Sequence, residues 1–268
     1  MSEWWHLLGR WIHIVTGVMW IGDSLLFNWL DRHFTPPEKE IPGVKGELWL
    51  VHSGGFYQLL KKQVGPGEMP KTLHWFRWEA ASAWLSGIFL LSLLYYSGEM
   101  MTDPVTSPVS EGTAIFLGIA SLIVGWVVYD LIWKLPLPQK VVTGILLLLL
   151  AGTAFGLGQI FSGRAMYYHV GSLLGTIMVA NVWMRILPAQ RHMIAATGAG
   201  EQPDLTLGAR AKLRSKHNNY MTYPLLFIMV SNHFPSTYGS EWNWVILMVL
   251  TLASMGFRHL INTGALAR

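Results

Sequence analysis

The sequence predicts an all-α, polytopic integral membrane helical bundle of about seven transmembrane helices. Three observations carry this. Of 268 residues, 52% are hydrophobic and 13% charged. Uncharged windows of about 20 residues, long enough to cross a hydrocarbon core as helix, recur along the chain. Lysine and arginine are confined to alternate connections between those windows. A chain so poor in charge cannot cover a water-facing surface of its own size. Its 14 Trp and 9 Tyr suit the headgroup zone, where amphipathic rings meet both hydrocarbon and water. Cysteine is absent, which excludes disulfides, thiolate metal sites and the covalent attachment of a c-type haem; a metal would be held by His, Met or carboxylate.

The spans fall at about residues 4–30, 73–97, 113–133, 141–161, 165–187, 217–235 and 242–260, in a single membrane domain covering 1–268. The first carries His6, Arg10, His13 and Asp23 and has no small-residue cleavage site, so it reads as a retained helix whose ionisable groups face protein or water. The fourth is the plainest, with no charge between Lys140 and Arg164. The sixth closes in SNHFP, where Pro235 stops it. Of the 19 Lys and Arg, all but Arg10 and Arg164 lie in segments 31–78, 134–140 and 185–216 or in the tail with Arg258 and Arg268, while Glu99, Asp103, Glu111 and Glu241 lie in the other connections. The amino terminus is therefore expected outside and the carboxyl terminus in the cytoplasm of a bacterial inner membrane. The inner loop 34–72 is broken by five prolines, and residues 46–62 within it, carrying Trp49 and Phe56, are expected as an interfacial helix.

Ten histidines are more than helix packing requires, and ionisable groups inside a bilayer are costly enough to be functional candidates. His6, Arg10, His13, Gly17, Trp20 and Ser24 share one stripe of the first helix, and Gly17 leaves room beside His13 for a flat macrocycle. At about 1.5 Å per residue, His13 lies roughly 13 Å and His169 roughly 9 Å from the outer end, depths at which one haem iron could bridge them. Arg10 and Arg164 could pair with propionates. The alternative, that these imidazoles bond neighbouring helices, stays open. His233 closes the outer end of the sixth helix and joins the cofactor-binding candidates; His259, near the inner face, joins the metal-ligand candidates. At the inner end the run His217, Asn218, Asn219, Tyr220 could read a planar polar heterocycle through paired donors and acceptors, or cap a helix. Glu79 and Asp130 are expected in structural pairs with Arg77, Lys134 or an inner histidine, and the deeper Asp23 as a functional carboxylate. Neither a P-loop nor a dinucleotide fingerprint is present, and nothing points to nucleic acid.

The segments HIVTGVMWIGDS, GVKGELWLVHSGGFY, MPKTLHWFRWEAASAWLSG, GRAMYYHVGSLLGTIMVANVWMRILPAQRHMI and KLRSKHNNYMTYPLLFIMVSNHFP resemble, in order and over nearly the whole chain, the membrane domain of the membrane-bound urate oxidase (urate hydroxylase) family. That resemblance implies oxidation of urate towards 5-hydroxyisourate, with electrons leaving through non-covalent haem b to a cytochrome c. Typical members carry an eighth span and a fused c-type cytochrome domain, and this sequence shows neither, so a separate cytochrome c is the expected acceptor. The resemblance implies His13 and His169 as haem-site residues. It implies His52, Gly54, Gly55, Tyr57, His74, His217, Asn218 and Asn219 as an inner-face substrate or second redox site. An inner histidine or Asp23 would take the released proton. Two rival readings remain: a cytochrome b subunit reacting with quinone and lacking a urate site, and a transporter or structural subunit whose histidines only pack. Expected partners are urate or a related purine, a separate cytochrome c or quinone, membrane lipid and, as an open alternative, a second copy of the chain.

Overall fold

Hydroxyl and carboxylate caps start three of the helices. The side chain of Ser110 accepts from the Thr113 amide, that of Ser162 from the Ala165 amide, and that of Asp204 from the Thr206 amide, each satisfying a donor the first helical turn leaves free. The computed structural model describes residues 2–98, 100–105 and 107–265; Glu99 and Arg268, counted above among the loop and tail charges, lie outside them. The described elements are α1 (Ser2–His33), the strands β1 (Val44–His52) and β2 (Gly55–Lys62), α2 (Trp78–Leu91) continued by a π-helical turn (Ser92–Tyr96), α3 (Glu111–Ile132) and α4 (Gln139–Gly158). There follow α5 (Gly163–Asn181), a second π turn (Val182–Ile186), α6 (Leu187–Gly198), α7 (Leu205–Ser231), the short α8 (Pro235–Tyr238) and α9 (Asn243–Thr263).

Five of these are long and apolar enough to cross a membrane: 78–96, 111–132, 139–158, 163–198 and 243–263. The two remaining long helices, α1 and α7, carry the polar residues on which the site discussion turns. Large apolar side chains stand on the outside of the bundle, among them Phe116, Ile123, Leu148 and Val249, an arrangement suited to lipid and not to water. α5 lies at the centre, packed by α2, α3, α4 and α7, and its buried residues run its full length from Ala165 to Asn181. α1 packs chiefly along α2, and α9 on α7 and α4.

Three expectations are corrected. Residues 46–62 are not an interfacial helix but an antiparallel hairpin, with Val51 opposite Phe56 and His52 opposite Gly55. Ser53 (φ 50°) and Gly54 (φ 78°) both take positive φ, the two-residue turn whose twist matches paired strands. The fifth span continues past 187, through α6 to Gly198, and α7 starts at Leu205, so the segment between them is a helical hairpin beyond the core and not a basic loop. Finally, α7 ends at Ser231, and Pro235 starts α8 instead of stopping its predecessor, which suits the ring's fixed φ and missing N–H.

Candidate active site at the basic end of the bundle

The hairpin, the α6–α7 connection and the carboxyl end of α9 lie at the end of the bundle that gathers the lysines and arginines. There a cavity of about 530 Å³ opens between α1, the segment preceding α2, the α5–α6 rod and α7. Trp20, Phe27 and Phe76 give it aromatic walls, with Phe27 and Phe76 edge to face at 5.1 Å. Its polar lining includes Asp23, Ser24, Asn28, His74, Gln190 and Ser215. Asp23 makes no salt bridge among the described residues. His74 is exposed on the extended approach to α2 and so stands at the mouth. Of the predicted inner-face residues, Asp23, His74 and Asn218 are brought together here. Gln190 and Ser215 were missed because they fall in what the sequence reads as a basic connection; the helical continuation of α5 places Gln190 on the wall.

The run from His217 to Tyr220 does not converge on this cavity. Successive helical residues turn by about 100°, and the four residues reach three different helices. His217 goes to α3, where its Nδ1 accepts from the Tyr129 hydroxyl at 2.6 Å and its ring stacks on Trp133 at 4.0 Å. Asn181 donates to the same hydroxyl at 3.0 Å, and Nε2 of His217 is a buried atom without a partner. Asn218 lines the cavity, but its amide is engaged, donating to the Met178 carbonyl at 2.9 Å and accepting from Asn181 at 2.9 Å. It shapes the wall. Asn219 faces α9, accepting from Arg258 and Asn262, and Tyr220 bonds His259 at 2.8 Å. His52, Gly54 and Tyr57 are exposed at the hairpin tip, with Gly55 half-buried beside them, and none lines the cavity.

Below the cavity, Asp130 on α3 is 3% exposed and receives Arg185 through both carboxylate oxygens, Arg214 at 2.8 Å and Lys134 at 2.9 Å. The pair foreseen with Lys134 is thus one edge of a four-residue cluster that ties α3 to the second π turn and α7. Glu79, by contrast, makes no salt bridge among the described residues.

The candidate haem donors occupy separate niches. His13 donates from Nδ1 to the Ala83 carbonyl at 3.0 Å, with Ser86 Oγ at 3.1 Å, and its ring lies against Gly87, whose added Cβ would sit 3.1 Å from Cε1. His169 is fully buried; Nδ1 donates to the Ala165 carbonyl at 2.8 Å and Nε2 accepts from the Tyr96 hydroxyl at 3.1 Å. Each ring is anchored through Nδ1 to a carbonyl, which leaves Nε2 as the acceptor, and that of His169 is occupied by the Tyr96 hydroxyl. Gly17, one turn from His13, faces open space. Around His169 the packing is tighter, since an added Cβ on Gly118 would lie 2.7 Å from Nε2. The Trp84 bond to Thr176 (3.0 Å) sets the level of α5 on α2. By helical rise it puts His169 about 8 Å from His13 along the axis. His13 and His169 are of the donor type that would hold a haem iron, but they sit in separate niches, and Tyr96 and Gly118 pack against Nε2 of His169. Among the described residues no three His, Asp or Glu groups gather around one metal position; His259 is bonded to Tyr220 instead. Arg10 and His233 are exposed, and the Nε of Arg164 is buried without a partner.

A family model, urate oxidase N-terminal, matches residues 1–267. The chain belongs to that family. Neither a curated protein nor a solved structure matches it. Within the urate oxidase N-terminal family match fall the cavity, the Asp130 cluster and both histidine niches.

Proposed function

We propose that this chain is a membrane-embedded urate oxidoreductase, with urate or a related purine bound in the cavity at the basic end. The observation that carries the reading is a cavity of 530 Å³ with aromatic walls around the unpaired carboxylate of Asp23, in a chain of the urate oxidase N-terminal family. Trp20, Phe27 and Phe76 would stack on the planar rings, and Ser24, Asn28 and Gln190 would read ring nitrogens and carbonyls. Oxidation of urate to 5-hydroxyisourate adds the oxygen of one water and releases two protons and two electrons. Asp23 takes a proton in this scheme, and His74 at the mouth passes it to solvent. The aromatic walls keep bulk water from the oxidised ring.

Haem b would be held by His13 and His169, and when bound it supplies one-electron transfer. The proposal further sets the chain as seven spans in a bacterial inner membrane, basic end in the cytoplasm and amino terminus outside, following the distribution of lysine and arginine. Electrons then leave to a separate cytochrome c on the far side. The test is urate-dependent reduction of cytochrome c by the purified chain, alongside a pyridine haemochrome assay. Asp23→Asn should keep the fold and any bound haem but lower turnover by about 100-fold or more, the usual size of a general-base contribution. Wild-type turnover in Asp23→Asn, or absence of both haem and urate oxidation in the wild type, overturns it.

A further inference from the structure

On the α9-facing side of α7, two buried donors have no acceptor: Nη2 of Arg258 and Nδ2 of Asn219. Arg258 is 2% exposed. Its Nε donates to Asn219 Oδ1 at 3.1 Å, Asn262 donates to the same oxygen at 2.7 Å, and its guanidinium lies over the Tyr223 ring at 5.1 Å. A second guanidinium, that of Arg32, reaches the same end of α9 and donates to the Ile261 carbonyl. Neither arginine forms a salt bridge among the described residues. Two cations with surplus donors and no carboxylate, one of them buried, call for an anion.

The surroundings say what kind. Adjoining Arg258 and sharing Tyr223 with it, a groove of about 390 Å³ runs between α7 and α9, lined by Tyr223, Leu226, Ala253, Ser254 and Phe257. In α9 the groove residues precede Arg258 and in α7 they follow Asn219, so the groove leads from the donor cluster toward the middle of the bundle. An ion alone would use the donors and leave the groove. A planar purine would be too short to fill it. An amphiphile with an acceptor-rich anionic head and a hydrocarbon tail uses both.

We propose that the α7–α9 groove holds an anionic phospholipid, its phosphate accepting from Arg258 Nη2 and Asn219 Nδ2 beside Arg32, and one acyl chain lying against Leu226, Ala253 and Phe257. This rests on the chain's being a membrane protein and not on its acting on urate.

The experiment uses the full chain purified in detergent, titrated separately with dioleoylphosphatidylglycerol, dioleoylphosphatidylcholine and inorganic phosphate. Native mass spectrometry reads adducts, and thermal unfolding reads stabilisation. Phosphatidylglycerol should bind on the order of tenfold or more tightly than phosphatidylcholine, as expected for charged hydrogen bonds to one headgroup. Arg258→Met should erase that preference. Should Arg258→Met fail to fold, Ser254→Trp decides, because it fills the groove and leaves the donors in place; it should lose retained phosphatidylglycerol. Equal binding of the two lipids to the wild type, undiminished phosphatidylglycerol binding in Ser254→Trp, or stabilisation by inorganic phosphate equal to that by phosphatidylglycerol would each overturn the proposal, the last by showing a free-anion site.

Discussion

Replacing Asp130 by alanine removes the one anion that three cations share, and the structure says which of the three matters. Lys134 is 57% exposed at its side chain and Arg185 34%, so water rehydrates both once the carboxylate is gone. The Arg214 side chain is only 9% exposed, and its Nη1 already lacks a partner. Breaking a buried pair by deleting one member costs about 3–5 kcal/mol, chiefly for the charge left behind. With only Arg214 stranded, the lower end applies, about 3 kcal/mol. For a chain of this size that is a fall in Tm of about 6–12 °C. Lys134→Ala should cost under about 1 kcal/mol. The decisive comparison is Asp130→Ala/Arg214→Met: with the stranded charge also removed, the double variant should be more stable than Asp130→Ala alone, giving a coupling energy of at least about 1 kcal/mol. Thermal unfolding of the detergent-purified chain followed by fluorescence-detected size exclusion reads the wild type, Asp130→Ala, Lys134→Ala, the double variant and Arg214→Met, which completes the cycle. Additive losses in the double variant, or equal losses for Asp130→Ala and Lys134→Ala, would refute the assignment of the cost to buried Arg214.

Gly163→Ala should be severely destabilising, since the new Cβ would sit 2.1 Å from the backbone carbonyl oxygen of Tyr238, whereas Gly156→Ala meets nothing within 4 Å and should be neutral or slightly stabilising; comparative expression and Tm check the pair. Tyr96→Phe leaves the buried Nε2 of His169 without its hydroxyl and should cost about 1–3 kcal/mol in the haem-free chain; if His169 binds haem, haemochrome content should be unchanged or higher, and a loss of haem would argue that Tyr96 holds His169 in its ligating position. Hydrogen bonds from Thr206 hold the Asp204 carboxyl below the usual carboxylate value. A depressed folded pKa means that the cap contributes above the unfolded pKa and is lost as pH falls through the folded one. Amide protection of the first turn of α7 should therefore exceed that of Asp204→Ala at neutral pH, with the difference shrinking once the solution is more acid than the ordinary carboxylate range.

The helices were legible because each span needs only length and apolarity, and their ends because charge is excluded from hydrocarbon. The hairpin at 44–62 differs from the expected helix although one signal is in the sequence, the Ser-Gly turn at which both residues take positive φ. VKGELWLVH does not alternate, and the aromatic content suggests an interface. His217 to Tyr220 was misread for a different reason. Four consecutive polar residues look like one clamp on paper, but the helix spreads them over α3, α5 and α9, and only packing shows which. The partners of Asp130 could not be read beyond Lys134, since Arg185 and Arg214 come from 55 and 84 residues away. Gly152, Gly156 and Gly175 open on empty space, while the close approaches occur at Gly118, Gly125, Gly163 and Gly171.

Two carboxylates near the same end of the bundle show how function separates from structure. Asp130 is surrounded by cations, and its geometry is explained entirely by holding α3, α5–α6 and α7 together. Asp23 makes no salt bridge among the described residues and lines a cavity. A packing role does not account for keeping such a group on a membrane helix, because serine or alanine would pack there without the charge. The second π turn links the two. An α-helix with one residue inserted shifts its faces, and here Val182 and Ile186 line the cavity while Arg185, between them, reaches Asp130. The cation cluster thus fixes one wall of the cavity that Asp23 also lines. Disturbing Asp130 should therefore weaken substrate binding as well as stability, whereas disturbing Asp23 should impair turnover alone.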